Sequence, residues 1–224
     1  MSERKHEQRG LLFSLGLAVV LICVCTAIAC GAIIFLSDVG AAGGRAQSTD
    51  SAEFRAVGKT YDSLSAARAA ADEARDAGRA GYVSAETEGF FLVYAVYSSA
   101  ADADTVADRL GAATLDVAVR STEPAAQSDA DAFDALLETA ERAETLWREL
   151  DAGETSESLV AVTLEEWSTA LGRYATEDAE LTSLVTRTRT SLVTATSGEH
   201  SLTSEVKYLS AQLVFALSAM SEGA

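Results

Sequence analysis

From Leu11 to Ser37 the chain carries no charged residue, and most positions are Leu, Ile, Val, Ala, Phe, Cys or Gly. As a helix, Leu11 to Leu36 would be roughly 39 Å long at about 1.5 Å per residue. That crosses a hydrocarbon layer of about 30 Å with some tilt. No soluble core element needs so long an uncharged run. A cleaved secretory signal is the competing reading, but its apolar stretch runs only about 7–15 residues. The expectation is an uncleaved anchor: a tail over 1–10 and a transmembrane helix over 11–37.

Ala27-Ile28-Ala29-Cys30 faintly resembles a lipoprotein cleavage box. Ala27 stands where Leu is usual, however, and the residues after Cys30 remain membrane-like rather than polar. All three cysteines (Cys23, Cys25 and Cys30) lie within this run, so the rest of the chain has no disulfide framework and no thiolate zinc site. Arg4, Lys5 and Arg9 precede the run, and the first charge after it is Asp38. The positive-inside rule places the N-terminus in the cytoplasm and everything beyond the span outside.

The chain has 17 basic and 34 acidic side chains; the tail holds three basic and two acidic, leaving 14 against 32, or −18, beyond the span. Such an acidic exterior excludes a general nucleic-acid binder, which needs clustered Lys and Arg. It is also repelled by anionic lipid. With His6 and His200 as the only histidines, most histidine-dependent catalysis is excluded.

Residues 38–53 are rich in Gly, Ala and Ser without apolar periodicity and read as a flexible tether. Residues 54–120 then alternate between strand-like and helix-like runs. Phe54–Tyr61 suits a short strand, Ser65–Ala77 a helix stopped by Gly78, and Gly81–Ala85 a second strand. Phe90–Tyr97 is aromatic and β-branched and is the strongest strand in the chain. Ala101–Leu110 reads as a second helix stopped by Gly111, and Leu115–Val119 as a last strand. The order is β-α-β-β-α-β.

The two halves look duplicated. One fixed offset sets Val57 on Val93, Tyr61 on Tyr97, Ala67 on Ala103, Ala71 on Ala107, Ala74 on Leu110 and Val83 on Val119. Two βαβ units of this kind make one four-stranded sheet with both helices on one face.

This segment resembles the SPOR domain, the sporulation-related repeat of bacterial envelope proteins. The resemblance runs through Phe90–Tyr97 with Ser98-Ser99, then Ala103, Ala107, Leu110 and Gly111. In the first half it runs through Tyr61, Ala67, Ala71, Gly78 and Tyr82-Val83. The family's strand-end Gly is Ala95 here, its following Pro is Val96, and its outward polar positions are Phe91 and Val93. The resemblance implies binding of peptidoglycan glycan strands on the sheet face opposite the helices. Mapped onto this chain, that face would carry Arg55, Val57, Lys59, Tyr82, Phe91 and Val93. Aromatic rings stack on sugars, and Arg and Lys bond to hydroxyls. The alternative is that protein covers Phe91 and Val93, because an apolar sheet face seldom stays open in a monomer.

Residues 121–128 hold the only proline, Pro124, and read as a linker. Residues 129–224 carry four apolar stripes at helical spacing. They run through Phe133, Leu136, Leu137, Ala140, Trp147 and Leu150; through Leu159, Val162, Trp167, Leu171 and Tyr174; through Leu181, Leu184, Val185 and Leu192; and through Leu202, Val206, Leu209, Leu213, Leu217 and Met220. Four such helices form a small bundle, standing alone or docked on the sheet.

No Gly-rich phosphate loop, zinc pattern or nucleophile elbow occurs. Adjacent acids such as Glu165-Glu166 point in different directions on a helix and make no paired-carboxylate site. The fold expected is α+β: a transmembrane helix, a SPOR-like sheet module and a C-terminal helical bundle. The function expected is non-catalytic, without cofactor or metal. It is binding of peptidoglycan from a membrane anchor at a division or sporulation septum, or else a scaffold that docks an envelope protein partner through its helical domain.

Overall fold

A computed structural model describes residues 51–120 and 126–222. The apolar run of 11–37 lies outside the described residues, and among the described residues no helix is long and apolar enough to cross a membrane. The described residues form one compact α+β unit.

Four strands, β1 (Ser51–Tyr61), β2 (Tyr82–Glu86), β3 (Gly89–Tyr97) and β4 (Ala113–Arg120), form an antiparallel sheet in the order β2-β3-β1-β4. Helices α1 (Leu64–Asp76) and α2 (Ala100–Leu110) connect β1 to β2 and β3 to β4. The element order β-α-β-β-α-β in one four-stranded sheet is the expected one. Its duplication extends to the caps. Ser63 Oγ accepts from Ala66 N and Ser99 Oγ accepts from Asp102 N, both at 3.3 Å, at the same offset as the other repeat pairs. Each cap satisfies one donor that the first helical turn leaves free. Ala67 and Ala103, at matching positions, are both fully buried. Small side chains there let each helix approach the sheet closely. Gly111 ends α2 in the left-handed conformation at φ 58°, where a side chain is strained.

Strand β1 begins at Ser51, three residues inside the segment read as tether. Helix α3 (Gln127–Ala152) begins inside the segment read as linker. It is followed by α4 (Glu157–Leu171), α5 (Ala179–Thr194), a short 3-10 turn (Ala195–Ser197) and α6 (Leu202–Glu222). The stripes of α5 and α6 are buried as expected, apart from a partly exposed Met220. Helix α4 differs. Its inward residues are Val160, Leu164, Trp167 and Leu171, whereas Leu159, Val162 and Tyr174 are exposed. The stretch Leu159–Leu164 offers two overlapping apolar stripes, and packing on α3 and α5 selects the one through Val160.

The helical region does not stand apart from the sheet. Helix α6 touches β2, β3 and β4 on one side and α3 and α5 on the other, and a single buried cluster runs from Phe54 and Val93 to Leu213 and Leu217. Polar ties hold the layers in register. Glu144 of α3 is buried and accepts from Ser98 N at 2.7 Å. Ser204 Oγ donates to Arg79 O at 2.7 Å, and Arg75 pairs with Glu205 at 2.6 Å. Asp129 of α3 accepts from Glu177 N at 2.9 Å, fixing the turn that enters α5.

Candidate functional site

The six residues expected on one open sheet face are divided between two faces. Arg55 donates to Asp104 of α2 at 2.8 Å and to Asp116 of β4 at 2.7 Å, so it lies on the helix side. Those two carboxylates raise its pKa, Asp104 most. Lys59 pairs in register with Leu92, which packs on Ala71 and Ala74 of α1, so Lys59 lies on the helix side too. Val57 pairs with Ala95, and both face the space beside α2. Tyr82, Phe91 and Val93 occupy the opposite face. Tyr82 stacks on Tyr208 and Phe215 of α6 at centroid distances of 5.8 and 5.4 Å. Burial raises its pKa, and the neighbouring Tyr208 adds to the effect.

The division has a specific cause. Val57 pairs with Ala95 but Gly58 pairs with Val93, leaving Tyr94 as an extra residue in β3. A bulge of this kind reverses which way the following side chains point relative to the partner strand. The repeat offset matches Val57 with Val93, and the bulge places the two on opposite faces. Gly58 permits it, because a Cβ there would sit 2.1 Å from Leu92 O.

The face opposite α1 and α2 is therefore closed. Phe91 is 4% exposed and Val93 0%. Apolar residues at these two positions are what a covering helix requires.

The open concavity lies on the other side. A groove of about 640 Å³ runs beside α2, floored by Val57, Tyr94, Ala95 and Tyr97 and walled by the ends of α1, α2 and α3. Four cations line it: Arg79, Arg109, Arg148 and Lys207. Arg148 bonds to Asp102 at 2.7 Å and to Glu144 at 2.9 Å, and Lys207 bonds to Asp151 at 2.7 Å. Arg79 lies 4.4 Å above the Tyr94 ring. Tyr97 meets Trp147 edge-on at 5.4 Å. Its pKa is pushed up to about 12, chiefly by burial; Arg148 opposes the shift, and Glu144, Asp151 and Asp102 add to it. None of the groove cations was expected from the sequence as a site residue, and Trp147 was expected only as part of an apolar helical stripe. The cations come from the loop after α1 and from α2, α3 and α6, and no local spacing signals their meeting. Among the described residues no group of His, Cys, Asp or Glu is arranged to hold a metal ion.

No family model, curated protein or solved structure matches the chain.

Proposed function

We propose that this chain is a single-pass, membrane-anchored, non-catalytic extracytoplasmic protein of a bacterial envelope, in which a SPOR-like module serves as an interaction scaffold. The anchor reading rests on the uncharged run of 11–37 and the basic residues before it. One observation favours a scaffold over a wall binder: Phe91 and Val93 lie beneath α6, with Tyr82 stacked on Tyr208 and Phe215. A glycan strand reaches that face only if α6 leaves it. The partner is another envelope protein, met through the helical layers. There Leu159, Val162 and Val193 are 59%, 52% and 57% exposed. The second reading, binding of peptidoglycan glycan strands at a septum, is favoured by the β-α-β-β-α-β order and the β2-β3-β1-β4 sheet.

Two measurements test these readings. The full chain in neutral detergent is mixed with purified sacculi, with and without amidase treatment. The scaffold reading expects it in the supernatant; saturable retention restores the glycan reading. For orientation, Glu88→Cys is placed in the exposed β2–β3 turn and treated in spheroplasts with a membrane-impermeant maleimide. Labelling is expected, and protection until the membrane is broken reverses the assigned topology.

A further inference from the structure

We propose that the groove beside α2 binds a small organic oxyanion, a carboxylate or phosphate carried on an apolar body. Its volume, about 640 Å³, is that of a small-molecule site. Its charges do not balance. Both lining carboxylates are engaged, Asp102 by Arg148 and Asp151 by Lys207. Arg79 and Arg109 have no acidic partner among the described residues. Two uncompensated guanidinium groups therefore line one concavity of a chain whose net charge is −17. That net charge repels anions at long range, so any affinity must come from direct contact inside the groove.

The stack of Arg79 on Tyr94 supplies such a contact in advance. It holds the planar fork in place while leaving its N–H donors free, and a guanidinium fork matches the two oxygens of a carboxylate or phosphate. A preset donor loses less freedom on binding. Beside Arg109, Leu110 is 45% exposed and Val106 also lines the wall, which provides apolar surface for the rest of the ligand.

The test uses the full chain in neutral detergent, with the indole N–H resonance of Trp147 as reporter and Trp167→Phe to assign it. Benzoate and phenyl phosphate are the probes, and benzamide is the neutral control. A saturable shift with benzoate alone identifies a carboxylate site, with phenyl phosphate alone a phosphate site, and with both a general oxyanion site. Arg79→Ala and Arg109→Glu should each weaken binding at least about tenfold. Arg109 is exposed, so its variant should melt like the parent and carries the test even if Arg79→Ala destabilises the fold. The proposal is overturned if neither anion gives a saturable shift. It is equally overturned if benzamide matches benzoate, or if the affinity survives Arg109→Glu.

Discussion

Phe91→Ala should cost the folded chain about 3–5 kcal/mol, the range for truncating a buried aromatic residue. Phe91 is 4% exposed, and its neighbour on the same face, Val93, is 0% exposed. Collapse into the space left by the ring is limited. The Phe91 ring lies over Gly58, where even a Cβ would stand 2.8 Å from Phe91 Cε1, so β1 has no side chain there to move in. The cavity term is therefore retained and the upper half of the range is expected. On an open sheet face the same truncation would stay within about 0.5 kcal/mol. The assay is a urea titration of the full chain in detergent, followed by fluorescence of Trp147 and Trp167. Both reporters sit in helices, α3 and α4, while the substitution is in the sheet. One transition should move to lower urea with its slope unchanged. Thermal unfolding should drop by roughly 6–20 °C. A double-mutant cycle of Tyr82→Ala with Phe215→Ala adds a direct reading of the contact. Ring centroids 5.4 Å apart should couple by about 0.5–1.5 kcal/mol. A Phe91→Ala cost below about 0.5 kcal/mol, together with zero coupling, would refute the closed face and the scaffold reading built on it.

Two further outcomes follow from the same geometry. Gly58→Ala should destabilise by more than about 2 kcal/mol, because the new Cβ meets the backbone oxygen of Leu92 at 2.1 Å and β3 must shift; an unchanged melting temperature would remove the bulge argument. At high pH, Tyr97 ionises in the unfolded chain from about pH 10 but in the folded chain only near 12, so the unfolded state binds fewer protons and stability falls between those values, by about 2–3 kcal/mol. Urea midpoints at pH 8 and pH 11.5 should therefore converge in Tyr97→Phe relative to the parent, and equal slopes in the two proteins would show that Tyr97 is not buried.

Much of the sheet module was legible because its signals are local and repeated. Ala67 and Ala103 face the sheet at one offset, and Gly78 and Gly111 mark the stops. What was not legible depends on partners distant in sequence. The bulge at Tyr94 leaves no composition signal, because Leu92, Val93, Tyr94 and Ala95 all suit a strand on either face. In the α4 stripe Trp167 and Leu171 are buried as read, but its first turns differ for a related reason: Leu159 and Val160 are both apolar, and only contacts with α3 and α5 choose between them. The groove brings together residues from Val57 to Lys207, and its cations look like ordinary surface charges until the fold gathers them.

One signal, however, bears on the closed face without any structure. A strand with one open face alternates apolar and polar residues, whereas a strand covered on both faces is apolar throughout. Phe90–Tyr97 has no polar position except the Tyr hydroxyls. The run is continuous because Leu92 meets Ala71 and Ala74 of α1, while Phe91 and Val93 lie under α6. Alternation is what an open face would require here, and its absence at Phe91 and Val93 fits a covered one. A sheet open on one face and a sheet covered on both can share an element order, and the composition of this strand fits the covered sheet. On the proposed scaffold reading, the surfaces left for recognition are the outer helical layer and the cationic groove, both of which lie away from the closed face.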